Sequence, residues 1–226
     1  ESKFKTLDGR NVAKIKFDSI PEATKWVNEY KNVTNFEYFG NTRHQYPFIA
    51  EEFKGKIDWD MNQIKLLSID IECESENGFP SPEKADQPLI CITVKDHTSK
   101  LIIVFGMGNF VNDREDVQYI NCSSETHLVE TFTKFWVEYN PDIITGWNVK
   151  FFDIPYLMNR FRYLMGDDWL NQFSPWGVVE QRSAAVLFAS REQQVWNIMG
   201  VDTLDYLDLY RKFTFVRRES YKLDYI

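Results

Sequence analysis

Long apolar runs are missing from this chain, and so is any excess of positive charge. The longest apolar stretches, such as Leu101 to Phe105, are far too short to span a bilayer, and no charged-then-apolar leader follows Glu1. A soluble, cytoplasmic chain with no membrane partner is expected. Cysteine is sparse. Cys73, Cys91 and Cys122 make an odd count without metal-type spacing, which argues against a disulfide framework and a zinc site and fits a reducing compartment. His44, His97 and His127 are isolated, and each reads as a surface or packing residue. With 26 Lys and Arg against 34 Asp and Glu, the net charge of -8 argues against a broad phosphate-binding surface. It leaves open a carboxylate-built site in which bound cations receive the phosphate.

What is abundant is flat apolar surface. Phe 18, Tyr 11 and Trp 7 within a 43% apolar composition exclude disorder, so most of these rings must be core. A few can serve as stacking surfaces, the usual way single-stranded nucleic acid is held without regard to sequence. The 226 residues allow one large domain, or one domain plus a fragment. Because the chain starts without Met and stops at Tyr225-Ile226 inside an apparent element, it is expected to be a cut piece of a longer protein.

Residues 1–63 read as a small mixed α+β region. Their clearest element is a helix capped by Ser19, with Pro21 in its first turn and Ala23, Trp26, Val27 and Tyr30 at helical spacing. The segments Gly40 to His44 and Glu51 to Asp60 read as loops or edges. From Ile64 the texture changes to short β-like runs alternating with amphipathic helices, the pattern of a layered α/β domain over 64–226. Strands are expected over Ile64 to Ile71, Pro88 to Val94 and Lys100 to Phe105, an antiparallel start. A helix capped by Ser123 or Ser124 follows and runs to Tyr139, where Asn140-Pro141 stops it. Then come a strand over Asp142 to Thr145 and a helix over Pro155 to Met165. A hairpin around Arg182 to Gln194 precedes a last strand that runs into a helix over Val201 to Arg211.

Two short stretches carry chemistry. In Asp70-Ile71-Glu72, at a strand end, residues two apart point the same way, so two carboxylates project together. Hard cations such as Mg2+ bind through one or two carboxylates plus phosphate oxygens, which makes this pair a plausible floor for a metal site. A solvated strand end explains the same tripeptide without chemistry. Asp153 stands two residues before a helical proline and is a good N-cap on that ground alone. The surrounding string, from Gly146 through Asn148 to Phe152-Asp153-Ile154-Pro155-Tyr156, places its carboxylate at a turn that can face the Asp70–Glu72 strand end.

These two stretches resemble the first and second exonuclease motifs of the family B DNA polymerases. The similarity is closer to the T-even-type phage replicative polymerases, through Phe151 to Arg160, Phe173-Ser174-Pro175 and Leu204 to Phe213. It covers the chain from Ile64 and, more faintly, the part before it. The resemblance implies an RNase H-like mixed β-sheet flanked by helices over 64–226, with 1–63 as part of a polymerase N-terminal domain. It also implies proofreading, the 3′ to 5′ removal of nucleotides from single-stranded or frayed DNA ends, helped by two divalent cations, Mg2+ or Mn2+. Carried over by motif, Asp70, Glu72 and Asp153 are the catalytic metal ligands, and Phe79, Asn148 and Phe152 touch the substrate. Asn148 is equally a turn-forming residue, Phe79 a loop ring and Phe152 a core ring. The hairpin would match one that helps peel a primer end.

Implied partners are the 3′ end of a primer-template, the polymerase domain of a full-length chain and a sliding clamp, in the host cytoplasm if the chain is phage-encoded. One departure stands out. The family's third motif, Tyr-x-x-x-Asp, supplies a fourth carboxylate and a water-orienting tyrosine, and Tyr221 to Asp224 has the wrong spacing for it. The chain is expected to stop short of that motif and to have weak activity alone. Asp202, Asp205 and Asp208 read as structural or hydrogen-bonding groups. Competing readings are an exonuclease acting on RNA and a catalytically silent piece that only binds single strands.

Overall fold

A computed structural model of the chain describes residues 4–39, 45–76, 78–185, 192–214 and 218–226. They form two compact units, Glu1–Trp59 and Asp60–Ile226. In the first, β1 (Phe4–Lys5) pairs antiparallel with β2 (Asn11–Val12). Helix α1 (Ile20–Tyr30) forms as its sequence dictates: the Ser19 hydroxyl accepts from the Glu22 amide and Pro21 sits in the first turn. A second helix, α2 (Gln45–Glu52), departs from the sequence expectation. Its Pro47 lies in the first turn, where a missing N–H removes no helical bond. Gly40 to His44 lie outside the described residues. Rings cluster around Trp26, whose centroid is 4.8 Å from Tyr30, 5.7 Å from Phe17 and 5.8 Å from Phe36. None of the described residues of this unit is buried.

The second unit holds the core. Its strands are β3 (Leu66–Cys73), β4 (Leu89–Asp96), β5 (Ile102–Met107), β6 (Val117–Cys122) and β7 (Ile143–Gly146), then β8 (Val179–Ala185), β9 (Glu192–Ile198) and β10 (Asp202–Asp205). Helices α3 (Glu125–Tyr139), α4 (Asp153–Met165), α5 (Asp167–Leu170) and α6 (Tyr206–Phe213) complete it. One mixed sheet runs β10-β7-β3-β4-β5-β6. Within it β3, β4 and β5 are antiparallel, while β7 is parallel to both β3 and β10 and β6 is parallel to β5. This is an RNase H-like arrangement flanked by helices. β8 and β9 form the expected hairpin apart from the sheet, its tip at 186–191 outside the described residues.

Alternation along β3 sorts its side chains. Leu67, Ile69 and Ile71 are buried, whereas Asp70 and Glu72 on the opposite face are exposed. The buried face packs with Ile92, Phe105 and Ile144 against Leu128, Phe132 and Trp136 of α3 and Leu157 and Phe161 of α4. Phe132 is central, 5.4 Å from Phe105 edge-on and 6.0 Å from Phe161. Burying each such side chain contributes about 1.5–3 kcal/mol. β6 escapes a reading of the sequence because only Cys122 in it is buried, so this edge strand has no apolar run to mark it. α3 starts at Ser124, whose hydroxyl accepts from the His127 amide, and ends on Asn140 in the left-handed region.

Candidate active site

The site lies where β7 parts from β3. β7 pairs with β3 only as far as Ser68 opposite Thr145. One residue on, a Cβ on Gly146 would stand 2.6 Å from the Ile69 carbonyl oxygen, so only glycine passes there. Past this point β3 has lost its neighbour on that edge. The Ile71 amide, which faces the gap, donates instead to Asp153 Oδ1 at 3.2 Å. Asp153 is not an N-cap, as it would be for a purely local role. Helix α4 begins at Asp153 itself, after Phe152, which makes no side-chain cap. The carboxylate reaches across 82 residues of sequence to the amide between Asp70 and Glu72.

Electrostatics point to the same crowding. Asp153 is 5% exposed. Burial, followed by the Asp70 charge, pushes its carboxyl up to about 7, with the Asp153 and Ile71 amides pulling against the shift. Partial burial also raises Asp70. Among the described residues no three His, Cys, Asp or Glu side chains stand close enough together to hold a metal ion. Mg2+ needs only one or two carboxylates when substrate phosphate completes its shell, and oxygen donors are its preferred ligands. The donor set at the β3–α4 junction therefore fits a divalent cation as a partial shell. Cys73, next to Glu72, is pushed up to about 11, burial being the main cause, and is a poor thiolate.

A second buried carboxylate organises the loop that delivers Asp153. Asp205, 4% exposed at the end of β10, accepts from the amides of Asn148 at 3.1 Å, Lys150 at 3.0 Å and Leu207 at 2.9 Å. It caps α6 and ties the 146–152 loop to it, the hydrogen-bonding role its sequence context suggested. Burial raises this carboxyl, opposed by those amides. Asn148 sits at φ 63 and its carbonyl accepts from the Phe151 and Phe152 amides, so its turn-forming role is realised. Trp147 Nε1 donates to the Tyr221 carbonyl at 3.0 Å, with the Tyr206 and Tyr210 rings beside the indole.

The aromatic residues picked from the sequence meet. Phe79, 86% exposed, has its ring 5.5 Å from that of Phe152, which stacks in turn at 6.0 Å from Tyr156. The Phe79 ring thus lies against Phe152, the residue before Asp153. Sequence reasoning missed the polar groups of α4, above all Arg160, buried beside the apolar stripe of Leu157 and Phe161. An arginine at that helical position, three residues from Leu157, was the available signal.

Residues 17–226 match the model for DNA polymerase family B, exonuclease domain. The chain belongs to this family. The exonuclease domain is 28% identical over 249 aligned positions to the DNA-directed DNA polymerase of Enterobacteria phage T4, covering 99% of this chain. It is equally similar to that of Escherichia phage RB69, covering 100%. Identity is 33% over 118 residues to the DNA polymerase catalytic subunit of Elephantid herpesvirus 1, covering 49% of this chain and 11% of that protein. The exonuclease domain spans 27% of the length of the two phage relatives. Among the described residues no helix is long and apolar enough to cross a membrane.

Proposed function

We propose that this exonuclease domain removes nucleotides from the 3′ ends of single-stranded or frayed DNA, with Asp70, Glu72 and Asp153 as its catalytic carboxylates. The observation that carries the reading is the Asp153 carboxylate on the Ile71 amide, at the open strand end between the two carboxylates of β3. Asp70 and Asp153 would hold one divalent cation and Asp70 and Glu72 a second, with Mg2+ or Mn2+ meeting their oxygen-donor chemistry. Bound there, such cations supply Lewis-acid stabilisation of the phosphate and a more acidic water.

The protein's own part is positioning. Asp205 and Gly146 fix the loop so that α4 enters with Asp153 aimed at β3. Phe79 and Phe152 offer a stacking face that takes any base, as removal of arbitrary mispaired nucleotides requires. Burial raises the Asp153 carboxyl to about 7, so near neutral pH it is divided between its protonated and ionised forms, and a bound cation would favour the ionised one. Primer-template DNA and a polymerase domain in a longer chain are the partners proposed from the relatives' description as polymerases.

A second reading, single-strand binding without hydrolysis, is favoured by the lack of any three-ligand group among the described residues. One experiment separates them. The 226-residue polypeptide is incubated with uniformly labelled single-stranded DNA or RNA and Mn2+, and Mn2+ binding is followed by calorimetry. The expected outcome is slow release of 5′-mononucleotides from DNA, in preference to RNA, and Mn2+ binding that Asp70→Ala and Asp153→Ala abolish. Binding without cleavage supports the second reading. RNA degraded as fast as DNA, or cleavage untouched by both substitutions, overturns the first. Fast turnover would contradict the expectation that this chain alone acts weakly.

A further inference from the structure

Residues 78–88, which carry Phe79, belong to no strand or helix, so their backbone carbonyls need partners from elsewhere. Helix α4 provides them. The Tyr156 hydroxyl donates to the Gln87 carbonyl at 2.6 Å, Asn159 Nδ2 to the Pro82 carbonyl at 2.8 Å and Arg160 NH1 to the Ala85 carbonyl at 3.1 Å. Positions 156, 159 and 160 are three and four residues apart and share one helix face. Gln87 Nε2 donates to the Gly78 carbonyl at 3.1 Å and closes the segment on itself just before Phe79.

Arg160 is the strongest of these ties. Arg160 is 5% exposed, and its guanidinium grips Glu125 of α3 with two parallel bonds, Nε to Oε1 at 2.8 Å and NH2 to Oε2 at 2.6 Å. Glu125 Oε1 also accepts from the Leu89 amide at 2.7 Å, where β4 begins. The carbonyl that Arg160 holds belongs to Ala85, a fully buried non-glycine residue at φ 45, a left-handed conformation that persists only where surroundings enforce it. The Ala85 amide donates to the Ser81 carbonyl at 2.8 Å, and Arg160, on the helix whose first residue is Asp153, holds the Ala85 carbonyl from the other side.

We propose that Asn159 and Arg160 are positioning residues for single-strand binding: by fixing residues 78–88 they hold the Phe79 ring beside Phe152, where a terminal base stacks. The proposal rests on the stacking role given to Phe79 above. Its physical basis is pre-organisation. A ring that is 86% exposed has little packing of its own to fix it, and a loop already ordered loses less freedom when a base docks. Because α4 carries both the loop anchors and Asp153, the stacked base and the Asp153 carboxylate are registered to one helix.

The test measures binding of 5′-labelled oligothymidylate by fluorescence anisotropy, using the whole 226-residue chain in EDTA so that no hydrolysis intervenes. Phe79→Ala is expected to weaken binding about 10-fold, as loss of one stacking platform does. Asn159→Ala and Arg160→Lys are each expected to weaken it roughly 3- to 10-fold. In the Phe79→Ala background both are expected to change it by less than about 2-fold, since their effect runs through that ring. Losses that multiply with that of Phe79→Ala mean a general structural role and overturn the proposal, as do single variants that bind like the parent. If Phe79→Ala itself binds normally, the stacking role fails and the proposal falls with it. Asn159→Ala leaves the buried Arg160–Glu125 pair intact and carries the cycle alone should Arg160→Lys unfold.

Discussion

Asp153 and Asp205 are both buried carboxylates beside the ends of parallel strands, and both are pushed upward by burial, yet their surroundings differ in kind. Asp205 accepts from three amides on two segments, which satisfies most of its lone pairs and welds the 146–152 loop to α6. Asp153 has the Ile71 amide from another segment, and the Asp70 charge opposes its ionisation. A carboxylate saturated with amides is a structural tie. One that is buried, poorly satisfied and crowded by a like charge suits the cation-ligand role proposed for Asp153.

The largest expected effect breaks the comparison on the catalytic side. Asp153→Asn should lower cleavage of single-stranded DNA by roughly 100-fold or more, since a metal ligand contributes several kcal/mol to the transition state. Folding should survive, because the amide can still accept from Ile71. A urea melt and a cleavage assay on the same sample decide it: an active Asp153→Asn protein would remove Asp153 from the machinery. Asp205→Ala should do the reverse first. It strands the Asn148, Lys150 and Leu207 amides and should cost about 3 kcal/mol of stability. A urea midpoint unchanged by Asp205→Ala would show that the loop is held by other means.

The third effect is a pH dependence. The folded-state pKa of Asp153, about 7, lies above its ordinary 3.8, so the folded chain holds this proton more tightly than the unfolded one. The associated stabilisation is full below about pH 4 and is lost as the pH rises through 7, each tenfold difference in proton affinity being worth about 1.4 kcal/mol. In EDTA the melting temperature should therefore fall between these limits, and Asp153→Asn should flatten that part of the curve. Added Mn2+ should restore stability at pH 8 in the parent and not in the variant. Superimposable curves for the two proteins would rule out the buried, strained carboxylate.

How much of this was legible before the fold was known follows from where each signal resides. Capping by Ser19 and Ser124, the stop at Asn140 and the alternation along β3 are local, and the chain carries them within a few residues. The pairing of Asp70-Ile71-Glu72 with Asp153 is non-local. Resemblance suggests it, whereas local reasoning favours an N-cap that the helix does not use. The anchors Asn159 and Arg160 act on carbonyls more than 70 residues away, and backbone carbonyls leave no mark in a sequence. α2 and β6 are hidden for a different reason, since neither has a buried apolar run.

The smallest effect sharpens the Asp205 side. Lys150 Nζ lies 3.4 Å from Asp208 Oδ2 and 4.9 Å from the centre of the Phe151 ring. Both side chains of the pair are partly exposed, which limits it to about 0.5–1 kcal/mol. The two partners are not equivalent. Asp208 also raises the Asp205 carboxyl through like-charge repulsion, so Asp208→Asn loses an ion pair and relieves a repulsion together. Lys150→Met loses the pair and leaves Asp205 and Asp208 facing each other without the cation, while the Lys150 amide still donates to Asp205. Lys150→Met should therefore be the more destabilising of the two at low salt, with the gap closing at high salt as the exposed charges are screened. Equal effects at low ionic strength would mean that Asp205 does not feel Asp208, and its three amides alone would then account for its role as a tie.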